Sequence, residues 1–344
     1  IIPGGGYLVL TEEENFGPDN LDVAKLVDFG LSATGETIHL TSPEGYHFRE
    51  EFGASEEGVS LGFHFKESTN SFNFVAQASP SQGFTNGLPA VGPIVISEIM
   101  VDPANADAEF IELVNITEST VTLFDAEQNQ PWQITDGIEF TFPVTPLEMT
   151  AGQRIILTRN ISDFNANYIV PQDTVVIQWT GGRLSNEGET VQLSKPGITD
   201  EAGNPSFIRV DRVNYNTSAP WPSGTGLSIQ RRIDSSYGND FINWSASTPT
   251  PGEARSINTL ENWAVANRIL NLQGDNDGDG LRNLFEYAIG SDPNEQNQFN
   301  GLVTDPRGGE VIINFPSNYK KPGIEIILES SSDLTTWDIR PTVP

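Results

Sequence analysis

The stretch LSNEGETVQLSKPG, Leu184–Gly197, indicates a repeated domain. A similar stretch, LSATGETIHLTSPEG, occurs at Leu31–Gly45. In both stretches, apolar and polar residues alternate after a glycine, which is typical of a β-strand that follows a tight turn. We expect Gly35 and Gly188 to supply the positive φ of that turn, because glycine adopts it without steric cost. The repeat predicts two copies of one domain.

Three further pairs of segments extend the repeat in the same order. They are GGGYLVLTEEENF with AGQRIILTRNISDF, EEGVSLGFHF with GTGLSIQRRI, and SFNFVAQASPSQG with FINWSASTPTPG. The first copy, residues 1–90, has no counterpart of Pro93–Thr150, so we expect it to be partial, behind a cut N-terminus within the strand-like run GGGYLVL. The second copy, residues 91–254, is complete, and short alternating strands between turns predict a β-sandwich in each.

A family resemblance rests on five motifs between Val91 and Ala254. In order, they are VISEIMVDPANADAEFIELVNIT, AGQRIILT, RLSNEGETVQL, APWPSGTGLSIQ and WSASTPTPGEA. This series resembles the bacterial lamin tail domain, and Ile1–Leu88 resembles the C-terminal portion of that domain. The resemblance implies immunoglobulin-like β-sandwiches in a large secreted or surface protein, beside enzymatic or adhesive modules. It implies no catalytic residues.

Composition limits the classes of partner. A formal net charge of −29 over 344 residues argues against a nucleic-acid partner, because phosphate binding needs clustered Lys and Arg. The same charge would be repelled by an anionic membrane, and the apolar runs are too short to insert into one. The chain has no cysteine, which excludes disulfides and thiol catalysis.

The stretch GDNDGDGLRNLFEY, Gly274–Tyr287, has the residue types and spacing of a calcium loop, with Gly280 at its sharp turn. Ca²⁺ needs six to eight oxygen ligands, and this spacing wraps such ligands around one point. The predicted ligands are Asp275, Asp277, Asp279, the Leu281 carbonyl, Asn283 and the bidentate Glu286. The alternative is a solvated Asp/Gly turn that caps a helix.

The flanks of this loop predict helices, so that residues 255–295 would form a helix-loop-helix segment. Before the loop, an apolar face follows a capping box at Asn258 and Glu261; after it, a second face ends near Gly290 and Pro293. The first face is Leu260, Trp263, Ala266 and Leu270, and the second is Leu281, Leu284, Phe285 and Ala288. The loop resembles EF-hand, dockerin and thrombospondin type 3 loops. Alternating strands in residues 296–344 predict the start of a further β-domain.

Other polar residues give weaker evidence of a functional site. The three histidines, His39, His47 and His64, are interpreted as exposed strand or loop residues. Glu98 could form a hydrolytic carboxylate pair with Glu109 or Glu112, with polar strand ends or a second cation near Asp102, Asp107 and Glu109 as the alternatives. Four tryptophans could stack on sugar rings, although Trp244, which replaces Phe74 of the first copy, suits a core: Trp132, Trp179, Trp221 and Trp244.

Together these features predict a mainly β, non-enzymatic chain that is extracellular or attached to a cell surface. Its expected role is that of a structural, adhesive or spacer region rigidified by Ca²⁺, with neighbouring domains of a longer chain as partners. A glycan or a surface protein is a further expected partner. The alternative is a set of accessory carbohydrate- or protein-binding domains of a secreted enzyme whose catalytic domain lies outside this sequence.

Overall fold

In the computed structural model, the chain divides into two compact units, Ile1–Ala254 and Arg255–Pro344. The structure describes residues 2, 4–16, 30–66, 68–200, 202–254, 260–289, 291–296, 302–305, 310–313, 329–330, 335–336 and 338–339. The described helices are α1 Glu12–Asn15, α2 Ile161–Asn167, α3 Leu260–Ala266 and α4 Asn283–Ile289, with a 3-10 turn at Phe241–Asn243. No described helix has the length and apolarity that a bilayer span requires.

Strands dominate the first unit, as the sequence predicts. Residues 35–76 contain β1 Gly35–Thr41, β2 His47–Gly53, β3 Leu61–Lys66 and β4 Ser71–Ala76. Residues 94–247 contain β5 Ile94–Met100, β6 Phe110–Asn115, β7 Val121–Thr122, β8 Phe124–Asp125, β9 Gln130–Pro131, β10 Gln133–Asp136, β11 Phe140–Thr141, β12 Glu148–Met149, β13 Arg154–Thr158, β14 Val175–Gln178, β15 Gly188–Thr199, β16 Pro205–Asn216, β17 Ser228–Arg231 and β18 Trp244–Ser247.

Two sheets form the central sandwich. The larger has the order β14-β13-β6-β5-β17-β18, and the smaller has the order β11-β10-β15-β16. Neighbouring strands are antiparallel except for β13 and β14, which are parallel. One apolar core joins the inner faces of both sheets, with Ile96 and Leu113 on one side and Leu193 and Val213 on the other. The predicted mainly β fold with a β-sandwich is therefore confirmed.

The larger sheet is covered on its outer face as well. Helix α2 begins at the Asn160 side chain, which accepts the backbone N–H groups of Ser162 and Asp163. Its Phe164 packs edge-on against Phe110, in a second buried cluster. Because both faces are covered, every residue of β5 is buried, and its polar side chains must find partners inside the protein.

The repeated stretch forms the same turn in both copies. Gly35 has φ +98 and Gly188 has φ +113, which agrees with the expected positive φ. In the first copy the Ser32 N–H donates to the Glu36 carboxylate at 2.6 Å, and in the second the Ser185 N–H donates to Glu189 at 2.7 Å. The carboxylate of the GET sequence thus fastens the turn in each copy, and β1-β2 and β15-β16 follow as antiparallel pairs.

The first copy differs from the second in how it buries its apolar residues. Leu193 of the second copy is fully buried, whereas Leu40 at the matching position is 62% exposed. Strands β1-β2 and β3-β4 form separate two-stranded sheets within the described residues, so no closed sandwich covers Leu40. The strand-like run Tyr7–Leu10 is likewise exposed and outside any strand, whereas its counterpart β13 is held between β6 and β14.

Within the described part of the second unit, four short strands follow the helices. They are β19 Leu302–Asp305, β20 Glu310–Ile313, β21 Glu329–Ser330 and β22 Asp338–Ile339. Strand β19 pairs with β20, and β21 pairs with β22. The Pro/Gly connection and most of the second predicted strand of this region lie outside the described residues.

Candidate functional site

The acidic loop of the second unit is folded by its own carboxylates. Asp275 accepts the backbone N–H groups of Gly278 at 2.8 Å and Gly280 at 2.9 Å. Asp277 accepts the N–H of Asp279 at 3.1 Å. Gly278 and Gly280 have φ values of +77 and +93, which residues with a Cβ rarely adopt. These turns keep the loop tight and direct its acidic side chains towards one point.

Three aspartates converge at this point. Asp275, Asp277 and Asp279 each place a carboxylate oxygen within 4.8 Å of the others, and this is the one such group of metal-ligand type among the described residues. Two oxygens of the loop are buried and have no hydrogen-bond partner, namely Asp277 Oδ2 and Glu286 Oε2. Buried polar atoms are normally paired, so these two oxygens indicate a site built for a partner outside the protein chain.

The charges at the loop also indicate a site for a cation. Glu286 is fully buried, and burial raises its pKa to about 7, with the negative charges of Asp277 and Asp279 as further causes. Its Oε1 accepts one hydrogen bond, from the Ser291 hydroxyl at 3.3 Å. The nearest basic side chain in sequence, Arg282, donates to Gln273 at 3.1 Å. The arrangement therefore gathers negative charge, and a divalent cation would offset it.

The other two predicted ligands, Leu281 and Asn283, differ in the hydrogen bonds that they make. Leu281 follows Gly280 in the loop, and its N–H donates to Asp279 at 2.7 Å. Asn283 is buried; its Oδ1 accepts the Asn276 N–H at 3.2 Å, and its Nδ2 donates to the Asn271 carbonyl at 2.8 Å. Asn283 thus fastens the loop to the segment before it. Spacing alone could not show this role, because the asparagine amide suits either use.

Helices flank the loop, although their buried faces differ from the predicted ones. Helix α3 ends at Ala266, so Leu270 lies beyond it and is 102% exposed, and Phe285 of α4 is also exposed. Trp263 of the predicted first face contacts Tyr287 of α4, which was not in the predicted second face, with ring centroids 5.1 Å apart. Asn258 of the predicted capping box lies outside the described residues.

The glutamates weighed as a catalytic pair are internal. Glu98 and Glu112 are cross-strand neighbours on β5 and β6, and both are fully buried. Glu98 accepts the Ser228 hydroxyl at 2.6 Å and the Thr250 N–H at 3.0 Å. Glu112 accepts Arg154 at 2.5 Å and the Gly252 N–H at 2.6 Å. Their bonds hold residues 250–252, after β18, against the sandwich, and their burial keeps substrate away from them.

Replacing Glu98 by alanine should therefore loosen residues 248–252. Loss of a buried acceptor leaves the Thr250 N–H and the Ser228 hydroxyl unsatisfied, which costs about 1–3 kcal/mol of the free energy of unfolding. We expect amide exchange at Thr250 to accelerate about tenfold or more, measured by hydrogen exchange, while the exposed Glu148→Ala leaves it unchanged. Equal protection of Thr250 in the Glu98 variant and the parent would contradict this role.

The second predicted cation site is not assembled. Asp107 pairs with Arg159 at 3.3 Å, and Asp102 accepts the Asn186 amide at 3.2 Å. Glu109 is buried, and burial raises its pKa, although it accepts the Leu184 N–H at 3.1 Å. Each of the three carboxylates has a protein partner of its own, and the described residues do not bring the three together as a group of metal-ligand type.

Most of the tryptophans weighed as sugar platforms belong to the core. Trp132, Trp179 and Trp244 are buried there, which confirms the core role expected for Trp244 and contradicts a stacking role for the other two. Trp221 is half-buried and packs against the same core, with its ring centroid 6.3 Å from that of Trp244. Of the histidines, His39 and His47 are exposed, and His64 is half-buried against Tyr237.

Comparison with known proteins agrees with the fold of the central sandwich. Residues 88–217 match the family model described as Lamin Tail Domain. The matched span runs from just before β5 to just after β16, so β17 and β18, which complete the larger sheet, lie beyond it. No curated protein and no solved structure matches the chain. Its central region is therefore similar to the lamin tail domain, an immunoglobulin-like fold compatible with a structural or interaction module.

Proposed function

We propose that this chain is a non-enzymatic structural region in which a bound Ca²⁺ rigidifies the helical segment that follows a lamin-tail-like sandwich. The sandwich would act as a spacer or interaction module outside the cell, and the second unit would carry the cation. Of the six predicted ligands, we retain Asp275, Asp277, Asp279, the Leu281 carbonyl and Glu286 as direct ligands. We assign Asn283, whose amide bonds Asn276 and Asn271, to closing the loop behind them.

One observation carries this proposal: Asp277 Oδ2 and Glu286 Oε2 are buried without a hydrogen-bond partner, beside two further aspartates. A solvated turn that only capped a helix would leave its carboxylates in water, where they need no partner. Hard oxygen ligands of this kind suit Ca²⁺, which takes six to eight of them, whereas zinc prefers nitrogen and sulfur.

The same chemistry supports a proposal on localisation. Calcium loops of extracellular modules bind in the range of roughly 10⁻⁴–10⁻³ M, which keeps them occupied outside a cell and empty in the cytosol. The net charge of −29 supports solubility in such a setting, and the absence of cysteine leaves no thiol to oxidise there. We therefore propose an extracellular or cell-surface location, with neighbouring modules of a longer chain as the first partners.

Removing calcium should destabilise the second unit. Binding to the folded state alone adds about 2.7 kcal/mol at a free concentration one hundred times Kd, and this contribution disappears with excess chelator. We expect a lower melting temperature for the transition that exposes Trp263 and Tyr287, together with faster amide exchange along α4. Calorimetry and hydrogen exchange with and without chelator measure both effects.

The sandwich supplies the internal control for this experiment, because the aspartate group lies in the second unit and the core of the sandwich is apolar. Its transition should stay in place on chelation, and added Ca²⁺ should restore the second transition, whereas added Mg²⁺ should restore less. A melting profile and an α4 exchange pattern that excess chelator leaves unchanged would contradict the proposal.

A further inference from the structure

The hairpin β1-β2 brings two of the three histidines of the chain together. His39 is on β1 and His47 opens β2, and the register pairs His39 with Arg49 and Thr41 with His47. The two histidines are thus diagonal neighbours on one face. His39 Nδ1 lies 3.3 Å from His47 Nε2, and the ring centroids are 5.2 Å apart.

We propose that His39 and His47 form a two-ligand site for a divalent transition-metal ion, of which Zn²⁺ is the representative. Neutral imidazole nitrogen is a preferred ligand of Zn²⁺, Cu²⁺ and Ni²⁺. Two Zn–N bonds of about 2.05 Å that meet at the tetrahedral angle place their nitrogens about 3.3 Å apart. The observed separation, which is also a hydrogen-bond distance, matches this value. Both rings are exposed, so with His39 in the Nε2–H tautomer the rings can rotate to direct both lone pairs at the ion.

A hydrogen bond with a neighbouring hydroxyl orients the His47 ring. Thr41 Oγ1 lies 2.9 Å from His47 Nδ1, on the side of the ring away from His39. When His47 Nδ1–H donates to this hydroxyl, the lone pair of Nε2 is left facing His39. Ligating histidines usually have such a partner on the second nitrogen, which fixes both tautomer and ring orientation.

The basic residue opposite His39 in the register has an acidic partner of its own. Arg49, the cross-strand partner of His39, donates to Glu51 at 3.0 Å, so its guanidinium is neutralised on the same strand. At the position of His39, the second copy has Gln192, whose amide bonds Thr135 and Ser194. This strand therefore forms with glutamine at the matching position. His39 adds an imidazole nitrogen that the fold does not require.

Two protein ligands leave two tetrahedral positions open, for water or for a donor atom of another molecule. Both rings are exposed, so a second chain can reach such an ion. The site is separate from the acidic loop in ligand chemistry, because imidazole selects transition metals and the carboxylates of the loop select calcium. Either site can fail without the other.

Isothermal titration with ZnCl2, in millimolar CaCl2 to occupy the acidic loop, tests the proposal on the full chain. The parent should bind one Zn²⁺ through this pair, and His39→Gln or His47→Gln should each weaken binding by about tenfold or more. The control His64→Gln should bind as the parent does. Because Gln192 occupies the matching place in the second copy, His39→Gln should keep the parent melting temperature.

Electron paramagnetic resonance with Cu²⁺ gives a second readout that unfolding cannot imitate. The parent should show two equatorial imidazole nitrogens, and His39→Gln should show one. The proposal is overturned if the parent binds no Zn²⁺, if His39→Gln binds it with parental affinity, or if His64→Gln removes the binding.

Discussion

Replacing Arg231 by methionine is expected to destabilise the first unit by about 3–5 kcal/mol, the largest single effect on stability that the structure predicts. Arg231 is fully buried and donates to Asp211 Oδ2 at 2.5 Å. The same Asp211 oxygen accepts the Ile96 N–H at 2.8 Å. Asp211 lies on β16 of the smaller sheet, whereas Arg231 and Ile96 lie on the larger, so this ion pair ties the two sheets together.

The cost arises because the methionine variant leaves the Asp211 carboxylate buried without a cation. The variant also loses the guanidinium contact 5.4 Å from the ring centroid of Trp244. Urea unfolding followed by tryptophan fluorescence, to which the core residues Trp132, Trp179 and Trp244 contribute, measures the loss. The exposed Arg49→Met should change stability by less than about 0.5 kcal/mol, because its partner Glu51 is exposed as well.

A double variant separates charge from packing in this prediction. Adding Asp211→Leu to Arg231→Met removes the stranded carboxylate, and exchange of a buried ion pair for apolar residues is often neutral. The double variant should therefore recover part of the stability that the single variant loses. If Arg231→Met unfolds at the same urea concentration as the parent, the pair does not tie the sheets.

Replacing Glu286 by glutamine should weaken calcium binding by about 100-fold, because affinity at such loops depends on the number of charged ligands. Glutamine keeps the size of the side chain and its hydrogen bond with Ser291, but removes one negative charge from a buried position. Without calcium, the same variant should be more stable than the parent, because it removes a carboxylate that burial and two aspartates disfavour. Titration calorimetry and melting curves without calcium measure the two effects.

These opposite signs make the test specific to a cation site. A residue with a purely structural role would lose stability in both conditions. The control is Glu295→Gln, an exposed residue beyond α4, which should leave the affinity within about twofold. If Glu286→Gln binds calcium with the affinity of the parent, the Glu286 carboxylate is not a calcium ligand.

Sequence reasoning was most successful where a local rule sets the structure. The positive φ of Gly35 and Gly188 follows from the turn that their stretch forms, and the sandwich follows from alternating strands. The spacing of the acidic loop likewise identified the aspartates that the fold brings within 4.8 Å of each other. In each case the residues that matter are close together in the chain.

Features that depend on distant contacts were missed. The burial of Glu98 and Glu112 results from β17 and from residues 250–252, which lie more than a hundred residues away. The exposure of Tyr7–Leu10 agrees with the finding that no described strand pairs with it, which its own apolar sequence does not reveal. The pairing of His39 with His47 needed the register of β1 with β2.

Titration of the parent chain with CaCl2 in a calorimeter shows whether the acidic loop binds calcium. We expect one site per chain, with a Kd at or below about 1 mM, the range of extracellular calcium loops. We also expect Asp275→Ala and Glu286→Gln to lose this heat, while Glu295→Gln retains it. Absence of saturable heat up to about ten times that concentration, or unchanged heat in Asp275→Ala, would contradict the claim that this loop binds calcium.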